Sequence, residues 1–600
     1  MRSLVVGTIA SFALTLADAT RVAGQQPDLT ARVLAAVTTD RLDAHAREIT
    51  RYERPSGSPG ENAAIDYIVA TLAAAGVPVE VHEFMGYTSN PISASVTVPG
   101  TDFDPQAITM AFSGATEGVE GVAIDLGDLG DLPELELGTG ERLVVRDPSG
   151  FEHVRGKVAI VTGQPRNIST RVLEELGAVA AIFVNPEERV NDLIVTSTWG
   201  TPSLRSQHRL PKLPVAHIKR SDGDRLRAMM ASADVTVRVR TEVDTGWKPL
   251  RLCVARIMPD GADDTTPYVL LGGHIDGWYH GGTDEGASNA AMLQMAISYH
   301  QNRDKMRHGL LVAWWPGHSN GRYAGSTWFA DTFFDDLRRR GLAYLNIDGV
   351  GQMGARRFGA STSPALAPLA IDIVGSLTGQ AIRPGRPGRN SDQAFNGIGL
   401  PLLQFNHSRS AEDGGYWWWH TPDDTYDKID FDVLRTDTEL YVTAISELVA
   451  APVYPVSIQL ELDAVMDALM GREAESERAL DLSQARARVD RLLEMWTEAF
   501  ARAPVPQDST RALDSAILRV LRPLHRIMFV PGSDHHPDPG IYSRPLPGLE
   551  PARILAEEDP SSDRYRFAMA QLLRERNRIL EAIDEATRAA TDLIERGAGS

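Results

Sequence analysis

The sequence predicts an α/β protein: a mixed sheet flanked by helices, with a β-rich insertion and a helical C-terminal part. Three observations carry this. Between residues 268 and 450, apolar runs (YVLLGGH, GLLVAWW, AYLNIDG, LPLLQFN) alternate with helical patterns over 286–300, 325–340 and 364–378. That alternation is the pattern of a sheet with crossover helices. Between about 110 and 247, short runs such as GVAIDLG, KVAIVTG, AAIFVN and LPVAHIK are separated by Gly, Pro and Asp. They read as a mixed, mostly β module set between two parts of something else. From 455 the chain is mostly helical, interrupted by the Pro-rich loop FVPGSDHHPDPGIYSRPLPGL.

The elements follow in order. Arg2 is a short positive region, and Ser3 to Ala17 is an apolar run too short to span a bilayer. Cleavage fits after Ala17-Asp18-Ala19 or Val22-Ala23-Gly24, so residues 1–24 read as a signal peptide and the chain as exported, to a periplasm or beyond. Leu42 to Tyr52 carries an apolar stripe; a loop and an amphipathic helix follow, ending at Gly76, and VPVEVHEF alternates as a strand. The expected units are residues 28–110 and 249–452 for the sheet domain, 111–248 for the insertion and 453–600 for the helical part.

Six hundred residues exceed one core. Hydrophobic residues at 43% and charged ones at 23% fit an ordinary globular protein without a membrane span. The net charge of −20 argues against nucleic acid or an anionic membrane as main partner. A single cysteine, Cys253, excludes an internal disulfide and cysteine-based metal ligation.

Four stretches put His or Asp where a strand meets a loop, the place where α/β sheets bind ligands. They are LLGGHIDGWYHGGTDEGASNAA with His274, Asp276 and Asp284, WWPGHSNGRYAGS with His318, YLNIDGVGQ with Asp348, and GGYWWWHTPDDT with His420. Imidazole and carboxylate without thiolate suit Zn, Mn, Fe or Co. One carboxylate can bridge two ions, and two ions can share and polarise a water. A lone strand-end His is more often a hydrogen-bonding residue than a ligand, but His-x-Asp followed by GGTD is hard to explain as packing. Asp276 is placed to orient His274 through its carboxylate.

These motifs resemble the co-catalytic zinc peptidases, most closely the glutamate carboxypeptidase II and transferrin receptor type, from about residue 40 to the C-terminus. GGHIDGW, GGTDEGASNAA, LNIDGVG, SDQAFNGIGLPLLQF and WHTPDDT are similar to that family's site motifs. GKVAIVTG and ELGAVAAIFVNP look like its inserted protease-associated domain, and the helical part looks like its dimerisation domain. The resemblance implies two divalent ions, zinc or else iron or manganese. Asp284 would bridge, His274 and Asp348 would complete one ion, and His420 would serve the other. It also implies a homodimer acting on a small peptide or an amino-acid conjugate.

The family then needs two adjacent glutamates, a general base and a ligand. Counting from the strand they fall on Gly317 and His318; counting back from Gly325-Ser326 they fall on Ser319 and Asn320. No acid is present on either count. His318 can replace a ligand, but Gly317 cannot replace a base. Three readings follow: a hydrolase with altered ligation; a non-hydrolytic metalloenzyme, lyase or oxygen-using; and an inactive receptor-like binding protein. His280, Glu285, Glu412, Asp413 and Tyr416 are candidate bases. Arg322 and Tyr323 are candidates to hold a carboxylate or oxyanion. Some of Trp417, Trp418 and Trp419 are expected to line a wall, and His535 and His536 to reach substrate.

Overall fold

The computed structural model describes residues 26–137, 143–502, 510–531, 538 and 544–598. The signal-peptide reading over 1–24, His535 and His536 lie outside the described residues.

The strands Leu402–Ser408, Gly341–Asn346, Tyr268–His274 and Gly309–Trp315 lie side by side in that order, all parallel. Arg357–Thr362 closes one edge antiparallel, and Thr236–Ile257 runs antiparallel along the other. Every residue of Tyr268–His274 and Gly309–Trp315 is buried, which is why both read as unbroken apolar runs. Gly272 lets the neighbouring strand close up: a Cβ there would stand 2.3 Å from Trp315 Nε1.

Thr236–Ile257 also pairs with Val79–Thr97 along most of its length, and its first part pairs with Thr116–Asp128. From there the ladder continues through Val158–Thr162, Ala180–Val184, Val215–Ile218 and Ala107–Thr109. These strands extend the ladder beyond the core set; Ala107–Thr109, expected with the sheet domain over 28–110, pairs instead with Val215–Ile218 at the far end. Three of their pairings are parallel, and the helices Asn167–Glu175 and Arg220–Met230 accompany them. The insertion is thus less purely β than its Gly- and Pro-punctuated texture suggests.

The helices Ile458–Glu475, Thr510–Phe529 and Asp563–Ala598 send Leu462, Leu469, Leu521, Leu524 and Ile583 into the same buried cluster as Leu271 and Val312. The helical part is thus packed on the sheet domain through a shared core.

Candidate metal centre

The site lies at the carboxyl ends of the parallel strands. His274 is the last residue of Tyr268–His274, His318 follows Gly309–Trp315 by three residues, and Asp348 follows Gly341–Asn346 by two. His274 Nδ1 donates to the main-chain carbonyl of Asp276 at 2.6 Å. The carboxylate of Asp276, expected to orient His274, lies 3.7 Å from the same Nδ1, with the hydrogen bond itself going to the carbonyl. The carboxylate also accepts from the main-chain N–H of His318 at 3.1 Å, from that of Ser319 at 2.8 Å, and from Ser56 Oγ at 2.5 Å. Asp276 fixes the turn that carries His318. Behind it, the buried Arg54 donates to the carbonyls of Ile275, His280 and Gly281 and holds the loop after His274.

Asp284 sits in a π-helical turn, Gly282–Gly286, with its own φ and ψ at −113° and 69°. Asp424 imposes that turn. One of its oxygens accepts from Thr283 N–H and Oγ1 at 2.9 Å each, the other from Asp284 N–H at 3.0 Å. The two oxygens of Asp284 then face different rings: Oδ1 is 3.9 Å from His274 Nε2, and Oδ2 is 3.3 Å from His420 Nε2. His420, at a left-handed φ of 57°, donates from Nδ1 to the carbonyl of Asp192 at 2.5 Å. Trp419 stacks on its ring at 3.6 Å.

In the turn after Trp315, the His318 ring packs inward and stacks on His274 with centroids 3.7 Å apart. Its Nδ1 donates to Asp392 at 2.7 Å. Gly317 has a left-handed φ of 73°. Ser319 and Asn320 are buried; Asn320 bonds the main chain of Ser56 and Ser89. Of the residues on which the two counts fall, His318 is the one whose ring stacks on His274. Tyr323 meets the His318 ring edge-on at 4.8 Å. Arg322 is 7% exposed, and its Nε has no hydrogen-bond partner. Its guanidinium lies 5.9 Å from the Trp199 ring, and Arg389, paired twice with Asp538 at 2.7 Å, lies 5.1 Å from the same ring.

The ligand atoms of His274, His318 and Asp348 all lie within 4.8 Å of one another. His274 Nε2, Asp284 Oδ2 and Glu285 Oε2 are buried without a hydrogen-bond partner, which a folded protein rarely tolerates unless something else meets them. Burial pushes the Asp284 carboxyl up, but His420, His274 and His318 hold it well below the usual carboxylate range. Burial works against a proton on His318, yet Asp392, Tyr323 and Asp348 raise it to about 10. The donor set, imidazole and carboxylate with unmet buried atoms, fits a divalent metal such as zinc.

Of the candidate bases, only Glu285 lies in the cluster, 3.8 Å from His274 Nε2. Burial and Asp348 push its carboxyl well above the usual range. His280 bonds Thr50, Glu412 and Asp413 are exposed, and Tyr416 bonds Thr283 behind Asp284. Trp418 is core, donating from Nε1 to Thr283 Oγ1. Sequence reasoning missed Asp392, Asp424, Asp192 and Trp199. Asp392 and Asp424 lie inside motifs it quoted; nothing local marked the other two.

Residues 253–445 match the family model described as peptidase family M28. A probable glutamate carboxypeptidase, VP8, of Zea mays is 25% identical over 388 residues, 56% of this chain and 53% of that protein. A probable lipoprotein aminopeptidase, LpqL, of Mycobacterium tuberculosis is 23% identical over 52% of this chain and 59% of its own length. The chain thus spans only about half the length of these relatives. Among solved structures, an aminopeptidase from Aneurinibacillus sp. strain AM-1 superposes with a TM-score of 0.53 at 21% identity, covering 70% of this chain and 95% of that one. A zinc aminopeptidase from Bacillus subtilis gives 0.53 at 17% identity over 70% and 98%. These last two show the shared fold. The match to the peptidase family M28 model thus spans the segment that carries all five candidate ligands.

Proposed function

We propose that the chain is a metal-dependent hydrolase that cleaves an amide or peptide bond in a small peptide or acyl-amino acid, with two divalent ions at the cluster. The observation that carries this reading is a tautomer shared by three rings. His274, His318 and His420 each commit Nδ1 to a group that can only accept: the Asp276 carbonyl, the Asp392 carboxylate and the Asp192 carbonyl. Each ring therefore has Nε2 left for a ligand. His274 and Asp348 would hold one ion, His318 and His420 the other, and Asp284, with one oxygen toward each side, would serve both. When bound, such ions polarise a shared water and the scissile carbonyl.

The turn supplies no acid, so the reaction proceeds without the family's glutamate base. Such a group typically contributes about a hundred- to ten-thousandfold in rate, and slow turnover on simple peptides is expected. Arg322, buried beside Tyr323 with an unmet Nε, is the chain's group for holding a substrate carboxylate. Relatives named as glutamate carboxypeptidases and aminopeptidases accord with a peptide substrate. We place the protein outside the cytoplasm as a homodimer, on the strength of its first 24 residues and of its helical C-terminal part. No helix among the described residues is long and apolar enough to cross a membrane.

Elemental analysis of the purified protein should find two ions per chain. A panel of aminoacyl and C-terminally acidic dipeptides should give hydrolysis that a chelator abolishes and zinc restores. A protein that binds no divalent ion in calorimetry, or turns over the panel equally well in chelator, overturns the reading. Cell fractionation and light scattering test export and dimerisation.

A further inference from the structure

His318 is unlike the other two histidines in one respect. His274 and His420 are oriented by main-chain carbonyls, which any sequence would supply at those positions. His318 is oriented by a side chain, Asp392, 74 residues further along. Asp392 is 1% exposed, and its second oxygen accepts from Ser326 Oγ at 2.6 Å. Ser326 stands in the first turn of the helix Ala324–Thr332, directly after the altered turn. The carboxylate is therefore clamped between the helix and the imidazole.

The neighbouring residue has the same job for a different ligand. Ser391 Oγ donates to Asp348 Oδ2 at 2.8 Å and itself accepts from Asn346 Nδ2 at 2.8 Å. Ser391 has a left-handed φ of 58°, which splays its side chain away from that of Asp392. One dipeptide thus reaches two candidate ligands, Asp348 and His318.

We infer that Asp392 is the positioning residue that makes His318 a metal ligand, by fixing its proton on Nδ1 and leaving Nε2 toward the cluster. The proposal rests on the reading of His318 as a ligand and names what enforces it. Carboxylate–histidine–metal arrangements of this kind typically change metal affinity by about 10- to 100-fold when the outer group is altered. The altered turn and the Ser391-Asp392 turn then form one unit: a histidine without the aspartate would be free to take the other tautomer.

The chemistry gives a sharp variant. In Asp392→Asn the group facing His318 is either the amide N–H₂, with Ser326 Oγ donating to the amide oxygen, or a neutral carbonyl, with Ser326 Oγ turned to the Tyr323 carbonyl; neither replaces the carboxylate. An amide donor there forces the proton to Nε2, which then cannot ligate. The test is cobalt(II) titration of the metal-free full-length protein, read by the absorbance of the bound ion. The unaltered protein should take two equivalents. Asp392→Asn should keep the first and bind the second about 10- to 100-fold more weakly, with the melting temperature of the metal-free protein preserved. A second measurement does not depend on how the variant folds. In the zinc-loaded unaltered protein, the Nδ1 proton of His318 should give a downfield, slowly exchanging resonance that His318→Ala removes. Two equivalents bound normally by Asp392→Asn, or no such resonance, overturn the assignment of Asp392 and leave His318 a ligand. Two equivalents retained by His318→Ala overturn the underlying reading of His318.

Discussion

The imidazole rings of His274 and His318 stack with centroids 3.7 Å apart and planes inclined by only 13°. An imidazole ligates through a lone pair in its own ring plane. Two nearly parallel planes do not readily contain one ion, which supports the proposed reading in which each ring serves its own ion. Their separation is also that of metals in two-metal sites, about 3.5–4 Å. X-ray absorption on the zinc-loaded protein should therefore show a metal–metal vector of about that length. A single-shell spectrum with one equivalent bound would mean that the rings compete for one position.

Placing a glutamate at position 317, where the count from the strand expects one, should not create an efficient peptidase. Gly317 has a φ of 73°, and a Cβ there would stand 3.0 Å from both Ala324 Cβ and Leu250 Cδ1. Gly317→Glu is strained by backbone and by contact, at a cost on the order of 1–3 kcal/mol. A carboxylate carried on a displaced turn misses the roughly 0.5 Å precision that catalysis needs. The unfolding midpoint should fall and kcat should stay within about tenfold of the unaltered protein. A kcat raised by about a hundredfold, the lower end of a general base's contribution, would show that the slot for a base survives.

Arg322 offers a selective test of substrate class. Hydrogen bonds to a charged group contribute about 1.5–3 kcal/mol, or roughly 10- to 150-fold in kcat/KM. Arg322→Ala should lower kcat/KM by that factor for peptides with a free carboxylate and leave their amidated counterparts unchanged. Equal losses on both would make Arg322 a structural residue that supports Trp199 and Tyr323.

The candidate ligands were legible because each is local. His274, Asp284, Asp348 and His420 stand within a few residues of a strand end or a Gly-rich turn, and the sheet topology alone brings such ends together. The residues that orient them were not legible, because their partners are distant in the chain. Asp392 reaches His318 across 74 residues, Asp424 reaches Asp284 across 140, and Asp192 reaches His420 across 228. Asp276 shows a finer limit. Its position beside His274 was clear, but sequence names a residue and not an atom, and the carbonyl took the place expected for the carboxylate. The insertion's share was hidden for a related reason. Asn191 Nδ2 donates to the Trp419 carbonyl at 2.6 Å, and Tyr279 Oη donates to Asp192 at 2.7 Å. Only the continuous ladder that carries the insertion to the core sets those distances.

Away from the site, one buried acid should shape stability against pH. Glu461 is fully buried in the first turn of Ile458–Glu475, with Oε2 accepting from Ala365 N–H at 3.2 Å and Oε1 without a hydrogen-bond partner, 4.0 Å from Nδ1 of the buried His525. Burial pushes its carboxyl up to about 7, while the Ala365 N–H and Arg386 work the other way. The folded state therefore prefers the neutral form. The sign follows from linkage: the contribution is fully present below the unfolded value of about 4.5 and is lost as pH rises through about 7. The difference between the two limits is on the order of 3 kcal/mol. Glu461→Gln keeps the shape and removes the titration. In urea unfolding between pH 4.5 and 8, the unaltered protein should lose stability relative to Glu461→Gln as pH rises, most steeply between about pH 5 and 6.5. Parallel curves for the two proteins would mean that Glu461 ionises in the folded state as readily as in the unfolded one.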